Sequence, residues 1–98
     1  SGQTAAVPRR YARNAGIDNA SGAILTALEP PGPAAAAGLM TLDTVVRADG
    51  EVVTGVDDLI RLLNAERIGK RIAIDVLRRG TLRGFEVTPL ERPATRAA

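Results

Sequence analysis

Histidine and cysteine are both absent from the 98 residues, so carboxylates, hydroxyls, guanidinium groups and the amine of Lys70 are the side chains left with chemical potential. A Ser-His-Asp triad, a Cys-His pair and a His-based zinc site are therefore excluded within this chain. Adjacent Asp57 and Asp58 come nearest to a paired-carboxylate site. Neighbours on a helix point about 100° apart, however, which suits neither a shared proton nor a shared metal. In the first turn of a helix they instead complement the positive end of the dipole. Asp43 stands just before an apolar run, where an aspartate commonly forms a turn. The chain carries neither a G-x-G-x-x-G nor a Walker-type phosphate loop. No catalytic residue, metal or cofactor is expected.

The cationic groups offer little more. Thirteen basic residues against eleven acidic ones leave a formal charge of +2. Arg9, Arg10 and Arg13 lie together, as do Arg67, Lys70 and Arg71, and Arg78, Arg79 and Arg83, while Tyr11 and Phe85 are the only aromatic residues. Nucleic-acid binding pairs a basic stripe with stacking platforms, which are missing, so these clusters read as solvated surface and no nucleic-acid partner is expected. No stretch approaches the ~20 apolar residues of a membrane span, and the amino terminus lacks the charged and apolar regions of a signal peptide. Direct membrane insertion is not expected, and any export signal would lie outside this segment.

What remains is an apolar scaffold: 45% of the residues are hydrophobic, enough for one core and one domain. Val56, Leu59, Ile60 and Leu63 recur at i, i+3, i+4 and i+7, which predicts a helix over 56–66. Thr54 is a candidate N-cap for it, and Gly69 lies beyond its end. Pro8 opens a shorter helix that Gly16 closes, turning Tyr11 and Ala12 inward. GAILTALE, 22–29, reads as a strand with Ile24, Thr26 and Leu28 on one face, stopped by Pro30-Pro31. Pro33 and four alanines make one helical turn, which Gly38 ends in the left-handed conformation. Val45 and Val46 start a strand that turns at Asp49-Gly50 and returns through Val52-Val53. Ile72, Ile74 and Val76 alternate along the next strand, Arg79-Gly80 turns the chain, and LRGFEVTPL returns. The order predicts an α+β fold, a small, partly open antiparallel barrel or sandwich capped by two helices. Residues 1–90 would form it, and 91–98 a flexible tail able to act as a ligand for a neighbouring copy.

The stretch PGPAAAAGLMTLDTVVRADGEVV resembles the PDZ domain wording S-P-A-x-x-A-G-L-x-x-G-D-x-I-x-x-x-(D/N)-G-x-x-V, with Leu42 in place of the glycine before Asp43. That glycine usually takes φ > 0, a strained conformation for leucine, so the loop is expected to have rearranged. The hairpin that ends the chain directly after the long helix, and the arginine-containing helix and Gly-Ala-Ile-Leu strand before the turn, are similar to the PDZ domains that follow trypsin-like catalytic domains in HtrA/DegP proteases. The resemblance covers residues 2–89.

It implies a groove between a strand edge and the long helix, to which an extended peptide adds by main-chain pairing. On the helix it places Val56, Ile60 and Leu63 along the groove wall and Leu59 in the core; a purely structural alternative buries all four. The family's carboxylate-binding loop, an anion nest of backbone amides, would lie just before Ser1. The first strand is thus expected to be truncated, with Ser1, Gly2 and Gln3 left to represent the strand side. The implied partners are hydrophobic peptide or unfolded-protein segments, in particular carboxyl-terminal ones, and the protease domain of a periplasmic or envelope-associated parent. Two alternatives are a PDZ module of another host, such as an intramembrane metalloprotease or a secretion-system protein, and a structural domain whose groove is filled by its own chain.

Overall fold

The structure is a computed structural model that describes residues 2–27, 33–63 and 67–89. Strand β1 (Gly2–Ala6) leads through helix α1 (Arg9–Ala15) to β2 (Ser21–Leu25). The single turn α2 (Pro33–Ala36) precedes β3 (Thr44–Ala48) and the short β4 (Glu51–Val52), and helix α3 (Val56–Leu62) is followed by β5 (Ile72–Arg78) and β6 (Thr81–Val87). The strands form one open antiparallel sheet in the order β1-β2-β3-β5-β6, with β4 pairing β3. This is the expected α+β architecture and element order.

Both faces of the sheet are covered. Leu59 and Leu62 of α3, together with Leu39, pack on Ala23, Leu25, Val45, Ile72, Ile74 and Val76. On the opposite face, Ala12 and half-buried Tyr11 of α1 pack with Val7, Val46 and Leu77. Val45 and Val46 are each 1% exposed although consecutive strand residues point to opposite faces. One serves each core, and a register shift between Val45 and Arg47 accommodates the change along β3. Each such side chain contributes about 1.5–3 kcal/mol by leaving water.

The turns follow from local chemistry. Asp49 and Gly50 have φ values of 52° and 78°, the pair of positive angles that a tight type I′ hairpin requires. Gly38 ends α2 at φ 101°.

Several expectations are corrected. In β2 the buried residues are Ala23 and Leu25, whereas Ile24 is half-buried and Thr26 exposed. The α3 core lies over Ala23 and Leu25, so the apolar character of Ile24 misindicates the face. Leu28 and Pro30-Pro31 fall outside the described residues. Leu62, outside the apolar period read from the sequence, is 1% exposed and centres the buried face of α3, while Ile60, expected on an open wall, is 60% exposed. The helix ends with Leu63 at its C-cap, and 64–66 are outside the described residues. The loop at Leu42 has not rearranged. Its φ is 78° and the Asp43 N–H donates to the Met40 carbonyl at 3.1 Å, so the turn is retained with leucine in the left-handed region. Asp43 is more than a turn-former, since it is buried and paired with Arg78.

Asn19, in the connection before β2, is also internal. Its amide nitrogen donates to the carbonyls of Val53 at 2.8 Å, Val46 at 3.1 Å and Ser21 at 3.2 Å. A buried amide left without these partners would cost about 1–3 kcal/mol, so the loop is fixed to β3 as firmly as a strand would be.

Candidate functional site: the open edge of β1 beside helix α3

Among the described residues, strand β1 has one neighbour, β2, and lies at the margin of the sheet. Which of its backbone groups face outward follows from the register. Leu25 turns both of its groups toward β3, donating its N–H to the Asp43 carbonyl at 2.9 Å and accepting from the Leu42 N–H at 2.6 Å. Gly2 stands opposite Leu25, so its own N–H and C=O point away from β2. Alternation gives Thr4 and Ala6 the same outward direction. Gln3 and Ala5 face β2, and the Val7 N–H likewise returns to the Ala20 carbonyl at 2.9 Å. The margin therefore presents a two-residue repeat of donor and acceptor, the template that an added strand pairs with.

Helix α3 sits against this strand. A Cβ built on Gly2 would stand 3.5 Å from Val56 Cγ2, and one built on Gly55 would stand 2.6 Å from Thr4 Oγ1. The Val56 N–H donates to Thr4 Oγ1 at 3.0 Å. Ser21 Oγ donates to the Thr54 carbonyl at 2.5 Å. Gly55, in extended conformation, is the N-cap residue in place of Thr54. Thr54 is held instead by Asp58, whose Oδ2 accepts from the Thr54 hydroxyl at 2.6 Å and its N–H at 2.9 Å. Those bonds, hydroxyl first, and the Arg61 guanidinium at 3.1 Å lower the Asp58 carboxyl to about 2. The carboxylate is thus a structural staple of the helix start, and Asp57 is exposed beside it.

Of the residues expected from sequence to line a groove, Gly2 and Val56 lie next to each other, with Val56 half-buried. Ile60 lies one turn further along α3, with most of its side chain in solvent. Leu63 is half-buried and packs against the α3 core. Gln3 is exposed, and Ser1 is outside the described residues. Leu59 is buried as expected. Thr4, Gly55 and Ser21 were not singled out by sequence, since their partners lie far along the chain and no local pattern marks them.

A second polar cluster lies at the turn before β3. Arg78 donates from Nε to Asp43 Oδ1 at 2.8 Å, from Nη2 to Asp43 Oδ2 at 2.7 Å, and from Nη2 to the Gly38 carbonyl at 3.0 Å, with its guanidinium 5.0 Å from the Phe85 ring centroid. Burial, the largest influence, pushes the Asp43 carboxyl up. Hydrogen bonds from Arg78 and the Met40 N–H, with the charges of Arg78 and Arg83, outweigh it and leave the group below its ordinary value. The cluster ties β5 to the turn before β3 and holds no nucleophile. Among the described residues no group of three or more His, Cys, Asp or Glu could hold a metal ion. None of their helices is long and apolar enough to cross a membrane.

Comparison with known proteins agrees with this geometry. Residues 11–88 match the PDZ domain family. A "Probable periplasmic serine endoprotease DegP-like" of Halomonas elongata is 38% identical over 82 residues, which are 84% of this chain and 17% of that protein. The protein of the same description from Pseudomonas fluorescens is 28% identical over 82 residues, with the same shares. The chain thus spans 17% of the length of these relatives. Among solved structures, the HtrA-type protease AlgW with a decapeptide superposes with a TM-score of 0.71 at 24% identity, covering 94% of this chain and 28% of that one. A point variant of AlgW with a tripeptide gives a TM-score of 0.66 at 24% identity, over 94% and 31% of the two chains. The chain belongs to the PDZ domain family, in the form found in HtrA/DegP-type serine proteases.

Proposed function

We propose that this domain binds extended peptides by strand addition along β1, under α3, and serves as a substrate-recognition or regulatory module of a periplasmic DegP-like serine endoprotease. One observation carries the reading: Gly2, Thr4 and Ala6 aim their backbone groups away from β2, beside Val56 and an Ile60 that is 60% exposed. Backbone pairing supplies affinity and is indifferent to sequence, and the helix wall supplies the preference. That wall is apolar, so hydrophobic peptide segments are the chemistry it favours. The catalysis of such a parent would reside elsewhere, since this chain has no histidine or cysteine to activate a nucleophile. The relatives' descriptions as periplasmic DegP-like endoproteases support this host over an intramembrane metalloprotease or a secretion system.

The test uses the chain extended upstream of Ser1, isotopically labelled, and titrated with a decapeptide of alternating leucine and serine ending in valine. The expected result is amide shifts concentrated at Gly2, Thr4, Ala6, Val56 and Ile60. Saturable binding with shifts confined to another face would overturn the placement, and no binding of this peptide or its carboxyl-amidated form would overturn the function.

A further inference from the structure

Thr4 belongs to both walls of the groove at once. Its backbone is one of the outward-facing sets on β1, while its hydroxyl accepts the Val56 N–H at 3.0 Å, across 52 positions of sequence. That N–H is at the start of α3, where no earlier helical carbonyl is available to it. The contact is also steric. Gly55 lies so close that a Cβ there would be 2.6 Å from Thr4 Oγ1, so the helix start rests directly on this side chain. Two residues along the strand, the helix also packs closely on Gly2, where a Cβ would stand 3.2 Å from the Ile24 carbonyl oxygen and 3.5 Å from Val56 Cγ2. Alternation puts the Gly2 and Thr4 side-chain positions on the same face, beneath α3.

We propose that Thr4 is a positioning residue for peptide recognition. Its hydroxyl latches the first turn of α3 to β1 and thereby sets the width of the channel bounded by Gly2, Val56 and Ile60. This inference rests on the peptide-binding reading. A peptide residue paired opposite Gly2 points its side chain to the α3 side of the sheet, toward Val56 and Ile60. A residue opposite Thr4 meets the latched helix start, so a bulky side chain is refused there. Opening the latch would let α3 drift and would weaken both the apolar contact and the refusal.

The test compares Thr4→Val, which keeps the shape and removes the acceptor, with Thr4→Ser, which keeps the acceptor. Each is made in the upstream-extended chain and titrated with the leucine–serine decapeptide above. Displacement of the unlatched helix is expected to weaken binding about 3- to 10-fold in Thr4→Val, with a melting temperature lowered by no more than the few degrees that one hydrogen bond contributes and recovery of both in Thr4→Ser. Exchange of the Val56 amide hydrogen is expected to accelerate in Thr4→Val alone. Gly55→Ala, which pushes the helix away from the other side, is expected to reproduce the loss, and it decides the matter if Thr4→Val proves unstable. Equal binding by wild type and Thr4→Val, or an equal loss in Thr4→Ser, overturns the proposal. If the wild type binds no peptide, the peptide reading fails separately, and the Val56 exchange rate alone judges the latch: an unchanged rate in Thr4→Val overturns it, and an accelerated one sustains it.

Discussion

Arg78 meets both carboxylate oxygens of Asp43, Nε to Oδ1 at 2.8 Å and Nη2 to Oδ2 at 2.7 Å, across 35 positions of sequence. The Asp43 side chain is 2% exposed and that of Arg78 24% exposed, so the two ends of the bond differ in what their loss entails. Removing the cation leaves a buried, uncompensated carboxylate, the more damaging direction. Arg78→Met is therefore expected to lower Tm, and adding Asp43→Asn to it should restore part of the loss. The pH dependence follows from the lowered Asp43 carboxyl. Its contribution is complete above the unfolded value of 3.8 and disappears as pH falls through the lower folded one. In Arg78→Met, burial is opposed only by the Met40 N–H and the Arg83 charge, so that carboxyl rises relative to wild type, and the difference in stability from wild type should shrink as pH falls from about 5 to 3. Melting curves across that window check it, and a gap that widens on acidification would contradict the pairing.

Leu42 holds φ 78° with its side chain 68% exposed. Leucine in the left-handed region costs roughly 1–2 kcal/mol, against about 0.4–1 kcal/mol of added unfolded-state entropy when glycine replaces another residue. Leu42→Gly is expected to raise Tm by a few degrees, whereas Leu42→Ala, which retains the backbone cost, should bring no such gain. Calorimetry of the three proteins decides. A fall in Tm for the glycine variant would mean that the exposed leucine makes contacts worth more than the strain.

Helix α3 separates binding from stability along its two faces. Ile60 is 60% exposed, so Ile60→Asp should change stability by no more than about 0.5 kcal/mol while placing a charge on the apolar wall and weakening decapeptide binding at least tenfold. Leu62, 1% exposed, should lose about 2–5 kcal/mol on truncation to alanine. Thermal melts and titrations of both variants form the test. Collapse of Ile60→Asp would place that residue in the core.

The features legible in the sequence were those whose causes are local. The Asp49-Gly50 and Arg79-Gly80 turns, the alternation of Ile72, Ile74 and Val76, and the one-turn α2 before Gly38 each rest on neighbouring residues, and all appear in the structure. Illegible features depend on partners far away. Asn19 reaches Val46 and Val53 across 27 and 34 positions, and Thr4 meets Val56 across 52, so a lone polar residue in a loop or strand carried no sign of its role. The helical period of α3 located the helix but could not separate Ile60 from Leu62, because which apolar residue is buried depends on how the helix is set over the sheet.

Asp58 supplies a final test of how the helix start is held. Its carboxyl, lowered to about 2 by Thr54 and Arg61, is partly exposed to solvent, with its side chain 28% accessible, so its effect should be local. A depressed carboxylate stabilises the folded state above its unfolded value, here 3.8, and that contribution is lost as pH falls toward 2. Asp58→Asn removes the charge and should remove this acid limb, so that the two proteins converge in stability as pH drops through the window. Because Thr54 adjoins Gly55, releasing it should also loosen the contact of α3 with Thr4, and the Val56 amide should exchange faster in the variant at neutral pH. An Asp58→Asn protein that keeps a constant deficit from pH 5 to 2 would show that shape rather than charge holds Thr54. Unaltered Val56 exchange would show that the β1 contact stands without the carboxylate.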